Sequence, residues 1–433
     1  MPTPLDTFAS YVPAAVARHH GAGAPAPEQP SRRPLRAALL FADISGFTAL
    51  TERLAQRGPA GVEELSRLLN TSFGQILDTI ETHGGDVVKF AGDALLAIWP
   101  IEDQWPGQAT ANRHQESAEE QPLGAGLAAA TLRAAQCALA INVRMSSLYR
   151  LIAGAQLTLR IGVAAGDVAT VRIGGVYGRW EFLVSGAPLT AVAAAENLAQ
   201  PSEVVLTPEV WELVRDACVG TPIRGGWAPD AAFPSPIPLP PSPFIRLDSI
   251  HTPLAPRRAL PHPPAPGIDL VLRSYIPGAV LSRLVAEQAT WLAELRRITV
   301  IFVNLPTGDL TARFDQAQAL MQALQTALYR YEGSVNKISL DDKGITLVAA
   351  LGLPPLAHED DAARGVQAAL AMRQALADLG VPCAIGVASG RAFCGEIGSR
   401  QRREYTMIGD VVNLAARLMQ AAASAEGRGL RTE

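Results

Sequence analysis

The sequence predicts an α+β protein built from two copies of one fold, each a ferredoxin-like, antiparallel-rich mixed sheet with helices packed on it. Three observations carry this. Matched blocks recur in the same order in both halves of the chain: 85–89 (Gly-Asp-Val-Val-Lys) with 333–337 (Gly-Ser-Val-Asn-Lys), 161–166 with 385–390, and 179–186 with 402–409. Such ordered internal similarity marks a repeated unit. Both halves follow the pattern strand, helix, strand, strand, helix, strand, which builds a sheet with helices on one face. Between the halves the prolines pool: fourteen of the 33 fall within residues 221–267, a density that removes backbone donors and favours an extended spacer. The expected organisation is an N-terminal tail (1–35), a first domain (36–220), a proline-rich linker and lead-in (221–290) and a second domain (291–433), the two domains packing as a pseudo-two-fold pair within one chain.

Each element has a local reason. In the first copy, 37–42 (Ala-Ala-Leu-Leu-Phe-Ala) is an apolar run of strand length, and 62–81 carries apolar residues at helical spacing. Residues 87–90 and 94–98 flank Ala91-Gly92-Asp93 as a hairpin. A Gln/Glu/Ala-rich insertion near 102–126 reads as a surface loop, which explains why the offset between copies falls from 261 at Asp43/Asn304 to 223 at Gly186/Gly409. An Ala-rich helix (126–148) then precedes a strand (157–163). The second copy repeats the series with a strand at 298–303, helices at 314–331 and 360–379, and a strand at 383–387. After Arg417 only sixteen residues remain, whereas the first copy continues through a strand at 203–206 and a helix. The second copy is therefore expected to be C-terminally truncated, or the chain to be part of a larger protein.

Composition narrows the function. A chain of 433 residues, 48% hydrophobic, can bury two cores. With 37 Lys+Arg against 41 Asp+Glu the net charge is -4, which disfavours nucleic acid as a partner. The four cysteines form no Cys-x-x-Cys pair, which fits a reducing, cytoplasmic setting. No signal peptide and no membrane span are expected, since the most apolar stretch, 125–143, is Ala-rich and carries Arg133. His19 and His20, in the tail, read as solvated.

The polar residues divide between the copies. Asp43 follows an apolar strand and Asp93 sits in the hairpin turn, each near a glycine (Gly46, Gly92). Two carboxylates so placed suit a hard cation with a bound phosphate chain. Each aspartate alone is as readily a helix cap or a turn residue. The segment Ile44-Ser45-Gly46-Phe47-Thr48 leads into a helix, so its amides could hold phosphate oxygens. In the second copy Asn304 stands for Asp43 and Leu340 for Gly92, while Asp341 matches Asp93. That copy instead offers Asn413 and Arg417, four apart on one helical face, where the first has Thr190 and Ala194.

The runs 41–48 (Phe-Ala-Asp-Ile-Ser-Gly-Phe-Thr), 89–96 (Lys-Phe-Ala-Gly-Asp-Ala-Leu-Leu) and 404–417 (Glu-Tyr-Thr-Met-Ile-Gly-Asp-Val-Val-Asn-Leu-Ala-Ala-Arg) resemble the catalytic motifs of class III nucleotidyl cyclases. The tandem arrangement is most similar to the bicarbonate-regulated soluble adenylyl cyclases. The resemblance implies that Asp43, the Ile44 carbonyl and Asp93 hold two Mg²⁺ (or Mn²⁺) ions. It implies that Arg417 stabilises charge on the α-phosphate, that Asn413 orients the ribose, and that Lys337 and Thr406 read adenine. The product would be 3′,5′-cyclic AMP with release of pyrophosphate, at a site formed within one chain. It also places Lys89, the counterpart of Lys337, in a regulatory pseudo-site for bicarbonate. Ala193 stands where the partner arginine is expected, leaving Arg172 or Arg179 as nearby substitutes. Two other readings remain: a catalytically silent nucleotide- or bicarbonate-sensing module, and a diguanylate cyclase, in which the 413–417 segment has no place.

Overall fold

The computed structural model describes residues 3–20, 25–46, 50–51, 53–54, 57–92, 94–101, 123–150, 157–223, 243–255, 257–258, 267–285, 294–305, 313–341, 344–353 and 355–429. The N-terminal stretch, expected as a flexible lead-in, carries α1 (Pro4–Ser10) and α2 (Ala14–His19). Thr3 and Asp6 form a capping box with Pro4 at the first turn, and Phe8, Tyr11, Val12 and Val16 are buried against the second copy. Apolar burial outweighs the Gly/Pro-rich composition on which the tail reading rested. His20 lies half-buried against the Tyr275 ring, 6.4 Å between centroids, instead of in solvent.

The first copy then runs β1 (Ser31–Ser45), α3 (Pro59–Thr82), β2 (Asp86–Ala91), β3 (Ala94–Pro100), α4 (Leu123–Arg150), β4 (Thr158–Gly174), β5 (Trp180–Ser185) and α5 (Ala187–Leu198). Its central strand order is β2-β3-β1-β4, antiparallel throughout, with β5 paired to β4. This is the ferredoxin-like order that the element sequence predicts. Helix α3 starts at Pro59 and buries Leu65, Leu69, Phe73, Ile76 and Ile80, one stripe at 3.6-residue spacing. Helix α4 contains the segment Ala125–Tyr149, long and apolar enough to cross a membrane. Its small face (Ala134, Cys137, Ala138, Ile141) packs instead into the core between sheet and α3. The expected loop at 102–126 lies mostly outside the described residues, with its last part in α4.

The first sheet continues past its expected end. Beyond β6 (Val204–Leu206) and α6 (Pro208–Val214), β7 (Cys218–Pro222) pairs with β8 (Ile245–Ile250), which also pairs with β6. So part of the proline-rich stretch is a strand: Ile245 and Leu247 are buried while Arg246 and Asp248 are not, the two-residue alternation of a half-covered strand. Helices α7 (Asp269–Ser274) and α8 (Gly278–Val285) follow and pack with α1 and α2.

The second copy runs β9 (Glu294–Leu305), α9 (Phe314–Tyr329), β10 (Ser334–Asp341), β11 (Gly344–Leu351), α10 (Asp361–Asp378), β12 (Ala384–Gly398), β13 (Arg403–Ile408) and α11 (Asp410–Gly429), in strand order β10-β11-β9-β12-β13. Strands β4 and β12 are far longer than their apolar runs suggest, because the distal half of each, still paired within its own sheet, extends as an arm against the opposite copy. Phe393 and Ile397 of β12 are buried in the first core; Ala169, Val171 and Ile173 of β4, with Leu183 of β5, are buried in the second. The exchange is reciprocal in its hydrogen bonds. Asn70 of α3 accepts from the Gly398 amide (3.1 Å), and its counterpart Gln318 of α9 brackets Gly174, the counterpart of Gly398, at 2.8 and 2.7 Å. Gln325 adds bonds to Val176 N and Arg179 O, both 3.2 Å. The two copies thus pack head to tail about a pseudo-two-fold.

Candidate active site

At the end of β1 the chain delivers Asp43, Ile44 and Ser45, then turns at Gly46 in the left-handed region (φ 86°). The Ile44 side chain is buried, so only its carbonyl can face a ligand. Asp93, Phe47 and Thr48 lie outside the described residues. Ala94, which follows Asp93, is the ladder partner of Asp43 on β3. On its other side Asp43 pairs with Arg160 of β4, whose Nη2 is 2.9 Å from Asp43 Oδ2 and 2.9 Å from Glu196 Oε1 on α5. Arg160 and Glu196 escaped the sequence reading. Their signal was in the repeat: the second copy has Ala384 and Met419 at their places, lost together with the aspartate that became Asn304. The ladder confirms the match, because Asn304 pairs with Ala384 as Asp43 does with Arg160.

Asp43 is thus a largely buried carboxylate that already holds a cationic partner, with a carbonyl beside it. These hard oxygens fit Mg²⁺ or Mn²⁺. Among the described residues no group of three or more His, Cys, Asp or Glu stands together as a metal cage.

The second copy brings Lys337 of β10 to Thr406 of β13, Nζ to Oγ1 3.3 Å, although these strands are opposite edges of one sheet. Thr406 is fully buried. Beside them Asn336 Nδ2 donates to the Tyr405 carbonyl at 3.1 Å. Asn413 and Arg417 stand on the first two turns of α11, Asn413 half-buried and Arg417 exposed. Among the described residues neither side chain has a protein partner, which leaves a guanidinium and an amide available to a ligand. Helix α11 is seated on β12 at Gly386, as α5 is on β4 at Gly162.

In the other half, Leu183, Thr190 and Ala194 replace Thr406, Asn413 and Arg417. Lys89 remains, with its ammonium enclosed although the residue keeps some exposed surface. Burial holds its pKa down to about 8, opposed by Glu404 and Glu181 and reinforced by Lys337 and Arg402. These charges are themselves pseudo-symmetric: Arg179 lies 3.5 Å from Glu181, and Arg402 3.6 Å from Glu404. Burial raises the Glu181 carboxyl, with Arg179 and Lys89 pulling the other way. Arg172 is committed elsewhere, donating to the Gln29 carbonyl at 3.0 and 2.8 Å and lying over the Trp180 ring. Of the two substitutes for the arginine missing at Ala193, only Arg179 belongs to the Lys89 cluster.

Residues 31–224 and 292–426 match the model of the adenylate and guanylate cyclase catalytic domain. Adenylate cyclase type 10 of Homo sapiens is 30% identical over 442 residues, 96% of this chain and 25% of that protein. The Mus musculus protein of the same name is 30% identical over 419 residues, 91% and 24% respectively. The chain thus spans about a quarter of the length of these curated relatives. The crystal structure of a class III adenylyl cyclase-like ATP-binding protein from Pseudomonas aeruginosa matches 96% of this chain and 89% of its own with a TM-score of 0.52 at 12% identity, a likeness of fold. With a catalytic-domain match on each side of the proline-rich stretch, the chain belongs to the adenylate and guanylate cyclase catalytic domain family.

Proposed function

We propose that the chain is an adenylyl cyclase, acting in signal transduction, that converts ATP to 3′,5′-cyclic AMP and pyrophosphate at one site shared by its two halves. The observation that carries the choice of ATP is the Lys337–Thr406 pair: an ammonium donor beside a hydroxyl suits the acceptor-and-amine edge of adenine. The ribose 3′-oxygen bonds to the α-phosphorus, the bond from that phosphorus to pyrophosphate breaks, and the 3′-proton is released. Asn413 orients the ribose for this attack. Arg417, a cation with no partner among the described residues, stabilises the charge that grows on the α-phosphate. Asp43, the Ile44 carbonyl and Asp93 would hold two divalent ions, with the 44–48 segment near the triphosphate. Such ions, when bound, supply Lewis-acid charge to the phosphates and acidify the attacking hydroxyl. Arg160, held by buried Glu196, keeps the Asp43 carboxylate in place. The names of the type 10 relatives support the same activity.

The regulatory part of the proposal is that bicarbonate binds beside Lys89, with Arg179 as its second cation. A bicarbonate titration of activity tests it, and a flat response in the parent protein ends it. For the reaction itself, the purified chain is incubated with ATP or GTP and Mg²⁺ or Mn²⁺ and the product identified. Cyclic AMP from ATP is expected. No cyclic nucleotide from either substrate with either metal would leave the silent-module reading in its place.

A further inference from the structure

Strands β10 and β13 are the two edges of a five-stranded sheet, yet two side-chain contacts join them: Asn336 Nδ2 to the Tyr405 carbonyl, 3.1 Å, and Lys337 Nζ to Thr406 Oγ1, 3.3 Å. The arm makes this possible, since β12 pairs with β9 over 384–394 and carries β13 on its distal half. Asn336 occupies a register shift between Val335 and Lys337 in the β10–β11 ladder. A bulge re-aims side chains and leaves the extra residue free of the ladder. Asn336 is buried, and its Nδ2 is engaged by the Tyr405 carbonyl while its Oδ1 has no partner among the described residues, so the donor is the group in use.

The first copy supplies an internal control. It has the same register shift, between Val87 and Lys89, but Val88 stands for Asn336, and Phe182 and Leu183 stand for Tyr405 and Thr406. There the contact is apolar, with Val88 and Phe182 in one cluster. The polar clasp therefore exists only where a lysine must meet a threonine. A lysine has four rotatable stem bonds, and its head is placed only as well as its backbone and partner are.

We propose that Asn336 is a positioning residue: by tying the Tyr405 carbonyl to the β10 bulge it sets the spacing of Lys337 and Thr406, and through them the discrimination between purine bases. This rests on the reading that Lys337 and Thr406 face the base of ATP. Two groups reading one edge discriminate only while both reach it, so a slack clasp weakens base choice more than turnover.

The test is Asn336→Val, the residue the first copy uses at this place, with Asn336→Ser as a second variant should valine impair folding. Thermal unfolding is measured beside kinetics with ATP and GTP. The expected result is a KM for ATP raised about tenfold, kcat within about threefold, and the ATP-to-GTP ratio of kcat/KM lowered about tenfold. Asn336→Gln, which keeps a donor, should restore part of the ratio. An unchanged KM and ratio, or a loss of kcat with the ratio intact, would overturn the proposal. Lys337→Ala and Thr406→Ala separate the two ideas. A ratio that survives in both defeats the base-reading assignment itself; a ratio that collapses in them but survives in Asn336→Val defeats the clasp alone.

Discussion

Gly386→Ala tests whether the seating of α11 positions the catalytic groups. A methyl group on Gly386 would lie 2.1 Å from the Ala415 carbonyl oxygen and 2.4 Å from the Met419 nitrogen, whereas ordinary contact begins at 3.4 Å. Both neighbours are backbone, so no rotamer relieves the overlap and the helix must withdraw by about 1 Å. Overpacking of this kind costs about 1–3 kcal/mol. Asn413 and Arg417 ride on the turns being pushed, and a displacement of about 1 Å at a positioned group costs on the order of 10²-fold in rate. Gly162→Ala is the matched comparison for stability: its methyl group would meet Val192 O at 2.3 Å and Glu196 N at 2.7 Å, under a helix that has Thr190 and Ala194 at the places of Asn413 and Arg417 and carries Glu196, the support of Arg160 and Asp43. Urea unfolding should show similar losses for the two variants. Saturating ATP kinetics should show kcat falling on the order of 10²-fold for Gly386→Ala, whereas any loss in Gly162→Ala, acting through Glu196, Arg160 and Asp43, should be partly recovered by raising the Mg²⁺ or Mn²⁺ concentration. If Gly386→Ala loses stability but keeps kcat within about threefold, the placement of the chemistry on α11 is refuted.

Other consequences are direct. Arg417→Ala should lower kcat by about 10²–10³-fold and leave the unfolding midpoint nearly unchanged, since its exposed side chain has no partner among the described residues; a large drop in stability would mean it is structural. Gln318→Ala removes both bonds to Gly174 across the pseudo-two-fold and should cost about 1–3 kcal/mol in urea unfolding, and an unaltered midpoint would contradict its role as an interface clamp. Burial holds the Lys89 ammonium down to about 8, below its ordinary 10.5, so the unfolded chain binds the extra proton between these values. Stability should therefore rise with pH across that window, and less steeply in Lys89→Met; parallel profiles would exclude a buried ammonium. His20 is held down to about 4 by burial, with Arg172 and Arg33 adding to it, so the fold should lose stability as pH falls from 6.5 toward 4. Its partial exposure limits this to about 1–2 kcal/mol, and His20→Gln should blunt it.

The parts of this molecule that the sequence makes legible are those whose cause is local. The apolar run of β1, the 3.6-residue stripe of α3 and the glycine turn at Gly92 announce themselves, and the repeat then fixes the strand order by analogy. The arms of β4 and β12 do not, because their second halves are stabilised by the opposite copy: Ile397 and Ile173 look like ordinary strand residues until the partner core is known. The same holds for α1 and α2, whose apolar residues have no periodicity long enough to read and find their burial against α7 and α8. Lys337 and Thr406 could be named from motif resemblance, but their contact depends on an arm folding across a sheet, which no spacing encodes. Arg160 and Glu196 are a different case. They show in the sequence as an Arg-to-Ala and a Glu-to-Met change between copies, but that the two meet Asp43 depends on the β1–β4 register and the seating of α5, which no local spacing encodes.

What the two copies keep and what they lose follows from the symmetry of packing and the asymmetry of chemistry. About a pseudo-two-fold every packing contact occurs twice, so a residue needed for assembly is needed in both copies. Gly162 and Gly386 both seat a helix, Asn70 and Gln318 both clamp a glycine of the opposite arm, and the Arg179–Glu181 and Arg402–Glu404 pairs recur. On the proposed reading the same axis would give two clefts, each drawing carboxylates from one copy and donors from the other. If one cleft does the chemistry, the carboxylate set is dispensable in the second copy and the donor set in the first. That is the observed distribution: Asp43, Arg160 and Glu196 against Asn304, Ala384 and Met419, and Thr406, Asn413 and Arg417 against Leu183, Thr190 and Ala194. Random decay would scatter losses over both clefts, whereas here all six fall in one. The retained Lys89, counterpart of Lys337, then calls for a reason outside the reaction. Lys89 feels both Glu404 and Lys337, so the half without the Asn413 and Arg417 counterparts remains electrically joined to the half proposed to read the base.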